Sequence, residues 1–331
     1  MRISINLVFI SVLLTSCGSP NTNKIEESTI KKLPVIFDTD ANNELDDQHA
    51  MAYLFSNQEY FDIKAVTVNA TRNGGNIQGH YDEAKRIMNL FNIGKTIPLL
   101  KGADKSFLEI RDDLGTAAFD GFEAVDFIIS EAKKYSDEKL IVIAVGKLTN
   151  LALALQKHPS IANNIRLVWL GANYPDPGEY NLVNDIPSMN YVLESNIEFE
   201  MVTVRYGKTS GTAAVMVTQS EIDSIMPGLG PKAKSPIIGR HGDKFDNFGD
   251  YSVNLFTHID YHGDPPTRSL FDMAAVAIVK NPEWAKATEI PCPSMIDELW
   301  VEQPDNPRKI IVWEYFETDD ILNDFYKSLE N

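Results

Sequence analysis

Cysteine is nearly absent from this chain. Of 331 residues only Cys17 and Cys292 are cysteines, so no disulfide framework can replace a hydrophobic core. Positive charge is scarce as well. Thirty Lys and Arg face 47 Asp and Glu, and the net charge of −17 argues against nucleic acid as a partner, because phosphates would be repelled. Internal repeats are missing, and no second composition regime marks a boundary between domains. What remains is a chain of ordinary hydrophobic content, long enough to bury the core of one large α/β domain.

The apolar run from Ile3 to Leu14 follows Arg2 and is too short to cross a membrane as a mature helix. It ends in Leu14-Thr15-Ser16-Cys17, which resembles the lipobox of bacterial lipoproteins. There, cleavage before the cysteine leaves it lipidated. The expectation is a signal peptide over 1–16, a lipid on Cys17 and a polar tether through residue 32. The protein would then sit on a membrane of the cell envelope, facing the periplasm or the cell surface. An ordinary secretory leader is the alternative. Cys292, flanked by Pro291 and Pro293, then has no partner and reads as an inert thiol in a rigid connector.

From Leu33 onward, short apolar runs alternate with helical segments. Strands are expected at Leu33–Phe37, Ile63–Val68, Leu140–Val145, Ile165–Leu170 and Glu200–Val204. Helices are expected at Gln48–Phe55, Tyr81–Phe91, Gly121–Tyr135, Leu148–Gln156 and Pro187–Ser195. The alternation predicts one domain over 33–331, a doubly wound, mostly parallel open sheet with helices on both faces. Such sheets bind ligands where loops leave the carboxyl ends of the strands.

The loop after the first strand is the most informative segment. Asp38, Asp40, Glu44, Asp46 and Asp47 fall within ten residues and repel one another unless a positive charge lies among them. Oxygen donors at this density suit a hard cation, calcium or magnesium, better than zinc. Three other readings compete. A solvated acidic loop is the plainest. An EF-hand loop fits in part, but Asn43 and His49 replace its glycine and final glutamate. A phosphatase opening on Asp-x-Asp fits only the first residues, and would release phosphate with magnesium.

Asp38-Thr39-Asp40 and Asp46-Asp47 resemble the acidic opening of the inosine-uridine preferring nucleoside hydrolase family, with a loop two residues longer and without the usual Pro-Gly pair. Three later segments resemble that family in the same order. Val145-Gly146-Lys147-Leu148-Thr149-Asn150 is similar to its strand-to-helix turn. Asn173 through Glu179 and Asn181 match its sugar-gripping spacing, and Asp272 opens an apolar helix. Taken alone, the second segment is an ordinary turn, the third a proline-rich loop and Asp272 a helix cap.

The resemblance implies hydrolysis of the N-glycosidic bond of ribonucleosides. It implies calcium held by Asp40, Asp47, Asp272 and the Val145 carbonyl, with Asp40 also the general base. Asp46, Asn173, Glu179 and Asn181 would bind the ribose. The family often places a histidine before the last calcium carboxylate to assist the departing base, and here that residue is Phe271. Tyr251, His258, Tyr261 and His262 are the candidates to replace it. The family's asparagine contact after the second strand has no clear counterpart among Asn69, Arg72 and Asn73. Other N-ribosides as substrates, or a surface-anchored protein that binds nucleosides without turning them over, stay open. So do the base preference and the choice between monomer and homo-oligomer.

Overall fold

Strand β1, Leu33–Thr39, has Val35 through Thr39 fully or almost fully buried, because helices cover it on both sides. The pleat sends Val35 and Phe37 into one hydrophobic core and Ile36 into the other. The computed structural model containing this strand describes residues 31–330. The leader, Cys17 and most of the tether lie outside those residues.

After β1 come helix α1 (Asp46–Ser56), strand β2 (Phe61–Val68), helix α2 (Ile77–Leu90) and the short strand β3 (Leu99–Lys101). Helix α3 (Phe122–Ala132) leads to β4 (Leu140–Ala144), and α4 (Thr149–Lys157) to β5 (Ile165–Ala172). Helices α5 (Tyr180–Asn184) and α6 (Ile186–Glu194) precede β6 (Glu198–Thr203). The last third adds α7 (Phe248–Phe256), α8 (Met273–Lys280), β7 (Lys286–Pro291), β8 (Lys309–Glu314) and α9 (Thr318–Leu329).

Eight strands form one open sheet in the order β7-β8-β6-β5-β4-β1-β2-β3, and every neighbouring pair is parallel except β7 with β8. That antiparallel edge was not expected. Its strand β7 is largely exposed and carries Lys286 and Glu289, charges that discourage further strands from pairing there. Most boundaries fall within about two residues of expectation, and two differ by more. Helix α2 begins at Ile77 rather than Tyr81, because Asn76 caps it by accepting from the amides of Gln78 and Gly79, and Gly79 hides the helical pattern. Helix α3 stops at Ala132 rather than Tyr135.

The chain winds outward from β1 through β2 to β3, then returns to place β4 on β1's other side. The carboxyl ends of β1 and β4 therefore diverge into loops running in opposite directions. That switch point is where an open sheet forms its crevice.

Candidate functional site

A cavity of about 300 Å³ opens at this switch point. Asp40, Asp46, Asp47, Val145, Glu179, Asn181 and Asp272 all line it, so four loops far apart in sequence converge there.

Asp38 does not face the cavity. Its carboxylate accepts from Thr67 Oγ1 (2.5 Å), Asn69 Nδ2 (2.6 Å) and Asn150 Nδ2 (2.7 Å), tying the ends of β1 and β2 to the first turn of α4. Burial raises its pKa to about 6, against the pull of those three bonds. Asp40, two residues on, points into the cavity, and its Oδ2 accepts from Thr71 Oγ1 at 2.5 Å. Burial is the main cause that pushes its pKa up to about 7, and Asp38 adds to the rise. Asp46 is pushed up to about 7 by burial and by Asp40. Asp47 and Asp272 are raised well above the usual carboxylate range, again by burial first and by their acidic neighbours second.

Asp46 and Asp47 open helix α1, where its dipole favours negative charge, and the Thr39 hydroxyl donates to Asp47. Asp272 stands at the N-cap of α8 but makes no capping hydrogen bond with its side chain. Oxygens of Asp46, Asp47 and Asp272 lie within 4.8 Å of one another. The cations nearest to this cluster are engaged elsewhere. The buried Lys147 Nζ donates to the carbonyls of Asp104 (3.2 Å) and Lys105 (2.7 Å), and Arg268 pairs with Glu44. Buried charges of one sign are tolerated only when protonated or neutralised by a cation. The donors are all oxygen, which fits a hard divalent ion.

Gly146 keeps this centre open. A β-carbon there would meet the Asn69 amide at 2.8 Å and Asp40 Oδ1 at 3.1 Å. Asn69 itself is buried against Asp38, while Arg72 and Asn73 pack on Tyr180, and none of the three lines the cavity.

On the far side, Glu179 caps α5 by accepting from the Leu182 amide at 2.9 Å, and burial raises its pKa to about 8. Asn181 Nδ2 donates to the carbonyls of Val145 (2.9 Å) and Leu170 (3.0 Å), bracing the ends of β4 and β5. Asn173 is placed differently. Its amide donates to the Pro177 carbonyl (3.2 Å) and accepts from the Tyr206 amide (3.1 Å), so it ties its own loop together outside the cavity lining.

Of the four leaving-group candidates, His262 alone lines the cavity. Tyr251 is buried and donates to Glu83 at 2.6 Å, His258 stacks on His241, and Tyr261 donates to the Phe256 carbonyl at 3.2 Å. Tyr206 and Arg268 line the cavity without having been singled out in the sequence, and Glu44 lines it without having been given a role of its own. For Glu44 a signal existed, since it lies in the lengthened acidic loop.

The sequence pattern described as inosine-uridine preferring nucleoside hydrolase matches residues 35–304, most of the chain. The chain belongs to this family. Among family relatives, the non-specific ribonucleoside hydrolase RihC of Salmonella paratyphi A is 30% identical over 191 residues, 51% of this chain and 60% of the relative. The match thus spans about three fifths of the length of such curated relatives. The fold agrees with that of solved nucleoside hydrolases. An inosine-uridine preferring enzyme from Bacillus anthracis gives a TM-score of 0.66 at 18% identity, covering 90% of this chain and 99% of its own. A purine-preferring ribonucleoside hydrolase from Gardnerella vaginalis gives 0.67 at 19%, covering 90% and 98%.

Proposed function

We propose that this nucleoside hydrolase family member cleaves ribonucleosides into ribose and free base. The observation that carries the reading is the meeting of Asp40, Asp46, Asp47, Asp272, Glu179 and Asn181 around one cavity, although they come from separate loops.

Asp40, Asp47, Asp272 and the Val145 carbonyl would hold calcium. When bound, calcium supplies a Lewis acid that acidifies and orients a water and positions the ribose hydroxyls. Asp40 would act as the general base toward the attacking water, and Thr71, bonded to its Oδ2, fixes the direction of the carboxylate. Asp46 and Glu179 accept from ribose hydroxyls. Asn181 acts beside them and also steadies the Val145 carbonyl. Asn173 contributes by holding the loop that carries Glu179 and Asn181. Bond cleavage leaves positive charge on the sugar's anomeric carbon, which the surrounding carboxylates stabilise. Phe271 and Tyr206, whose rings meet edge to face at 5.9 Å, offer the base an apolar wall.

A reducing-sugar assay over purine, pyrimidine and nicotinamide ribosides, with and without chelator, tests the reading. Chelator-sensitive ribose release supports it. Nucleosides that raise the melting temperature without any ribose release would leave a binding protein instead.

Glu179→Gln keeps an acceptor for the Leu182 amide but loses the charge. We expect kcat/KM for ribosides to fall about 10–100-fold, the worth of a hydrogen bond to a charged group, with calcium affinity nearly unchanged. Asn181→Ala should raise KM, lower kcat and also weaken calcium, because it releases the Val145 carbonyl. Unchanged kinetics in both variants would remove these residues from the sugar site.

We further propose that Cys17 carries a lipid that anchors the protein in the cell envelope. The Leu14-Thr15-Ser16-Cys17 run supports this. Cys17→Ser should move the protein to the soluble fraction or leave its leader uncut. Identical fractionation of parent and variant, with no lipid mass on either, would refute the anchor.

A further inference from the structure

The residues lining the cavity divide by chemistry. Asp40, Glu44, Asp46, Asp47, Glu179 and Asp272 are acids, and Arg268 is the one guanidinium or ammonium among the lining side chains. Ribose hydroxyls and a cation account for the carboxylates of the sugar end. They give no reason for a buried arginine.

Arg268 is only 7% exposed, and it lies on a two-residue ladder in which it pairs with Val217, so its backbone is fixed. Its Nη2 pairs with the carboxylate of Glu44. The remaining donors are poorly used. Nη1 has only long contacts, at 3.4 Å each, to the Asp260 carbonyl and His262 Nε2, and Nε is buried without any hydrogen-bond partner. Leaving guanidinium donors unsatisfied in a buried setting is costly, so an acceptor is missing here. Burial draws the Arg268 pKa below the usual arginine value, as expected of a cation short of partners.

Glu44 lies in the acidic loop between Asp40 and Asp46. That loop is itself held down, with the Asn42 amide on His80 Nδ1 (3.2 Å) and Asn42 Nδ2 on the Gly74 carbonyl (2.6 Å). The loop thus places a carboxylate where it can aim Arg268. His262 is the nearby alternative as a proton donor. Arg268 carries several fixed donors at this end of the cavity, whereas His262 presents a single ring nitrogen, Nε2, at 3.4 Å from Arg268 Nη1.

We propose that Arg268 is the group that assists departure of the nucleobase, with Glu44 as its positioning residue. The inference rests on the hydrolase reading above. As the bond from C1′ to the base nitrogen breaks, its electron pair goes to the base. The water oxygen bonds to C1′, and the water's proton passes to Asp40. The base leaves carrying negative charge that spreads onto its ring nitrogens and carbonyl oxygens. Arg268 donates charge-assisted hydrogen bonds to those atoms without transferring a proton. The freed base then takes its proton from solvent, and Asp40 returns one.

The test compares inosine with 4-nitrophenyl β-ribofuranoside, whose phenolate leaves without help, at saturating calcium. Removing one preorganised donor to a developing anion costs about 10²–10³-fold. In Arg268→Met the ratio of kcat on inosine to kcat on the nitrophenyl riboside should fall by about a hundredfold. Arg268→Lys should recover part of that loss by keeping the charge without the planar fork, and Glu44→Gln should lower the ratio by about tenfold. Because a guanidinium stays protonated, kcat of the parent on inosine should hold through about pH 9. Equal losses on both substrates in Arg268→Met, or an unchanged ratio, would overturn the proposal. So would a loss of kcat with rising pH that His262→Gln abolishes, which would move the role to His262. A parent that releases ribose from neither substrate would overturn the hydrolase reading itself, and this one with it.

Discussion

Asp40→Asn should lower kcat on ribonucleosides by at least about 10²–10⁴-fold at saturating calcium, the usual worth of a general base. The substitution nearly preserves shape. The asparagine oxygen can still accept from Thr71, and the backbone turn in which the Asn43 amide donates to the Asp40 carbonyl is untouched. Because Asp40 is pushed up by burial and neighbouring acids, removing its charge also relieves repulsion on Asp46, Asp47 and Asp272. The metal-free variant should therefore be at least as stable as the parent while binding calcium more weakly. Titration calorimetry and melting curves separate those effects from turnover. A variant that keeps near-parental kcat at saturating calcium would place the base elsewhere.

The acidic loop stood out in the sequence because carboxylate crowding in one short stretch is itself a physical anomaly, and the strand before it fixes where the loop emerges, whereas the choice of Asp40 among its acids came from the family resemblance. The parallel sheet was legible for the same reason: buried strands such as Leu140–Ala144 read as unbroken apolar runs. Asn173 stands apart from the cavity lining. Its distance from Glu179 and Asn181 matches the sugar-gripping pattern, but the loop folds back on Pro177 and takes up the amide. Nor could sequence pair Glu44 with Arg268. One reads as a further acid in an acidic loop, the other as a lone basic residue. Only the closing of the loop onto the Arg268–Ser269 ladder brings them together. The antiparallel edge escaped because Lys286–Pro291 lacks the apolar run of a buried strand.

Chelating calcium at pH 8 should abolish turnover and lower the melting temperature by about 10 °C or more, and the stability loss should shrink at pH 5. The sign follows from the carboxylates. Asp40 and Asp46 have folded pKa values near 7 against 3.8 for the free side chain, and Asp47 and Asp272 are likewise raised well above it. Between about pH 4 and pH 7 the folded protein without metal thus holds more protons than the unfolded chain, so its stability falls as pH rises. A carboxyl whose folded pKa lies one pH unit above its unfolded value changes stability by about 1.4 kcal/mol, and several such groups together reach a sizeable part of the stability of an ordinary domain. Calcium adds the opposite linkage. It binds the ionised carboxylates, stabilises the folded state most where they would otherwise repel, and loses affinity as they protonate. Melting curves at pH 5 and pH 8, each with calcium and with chelator, give the four values needed. A chelator effect of the same size at both pH values would show that Asp40, Asp47 and Asp272 are not the groups that hold the metal. Asp272→Asn should shrink the pH 8 effect, since it removes one of the three carboxylates that would hold calcium while leaving α8, which takes no side-chain cap from Asp272, to start as before.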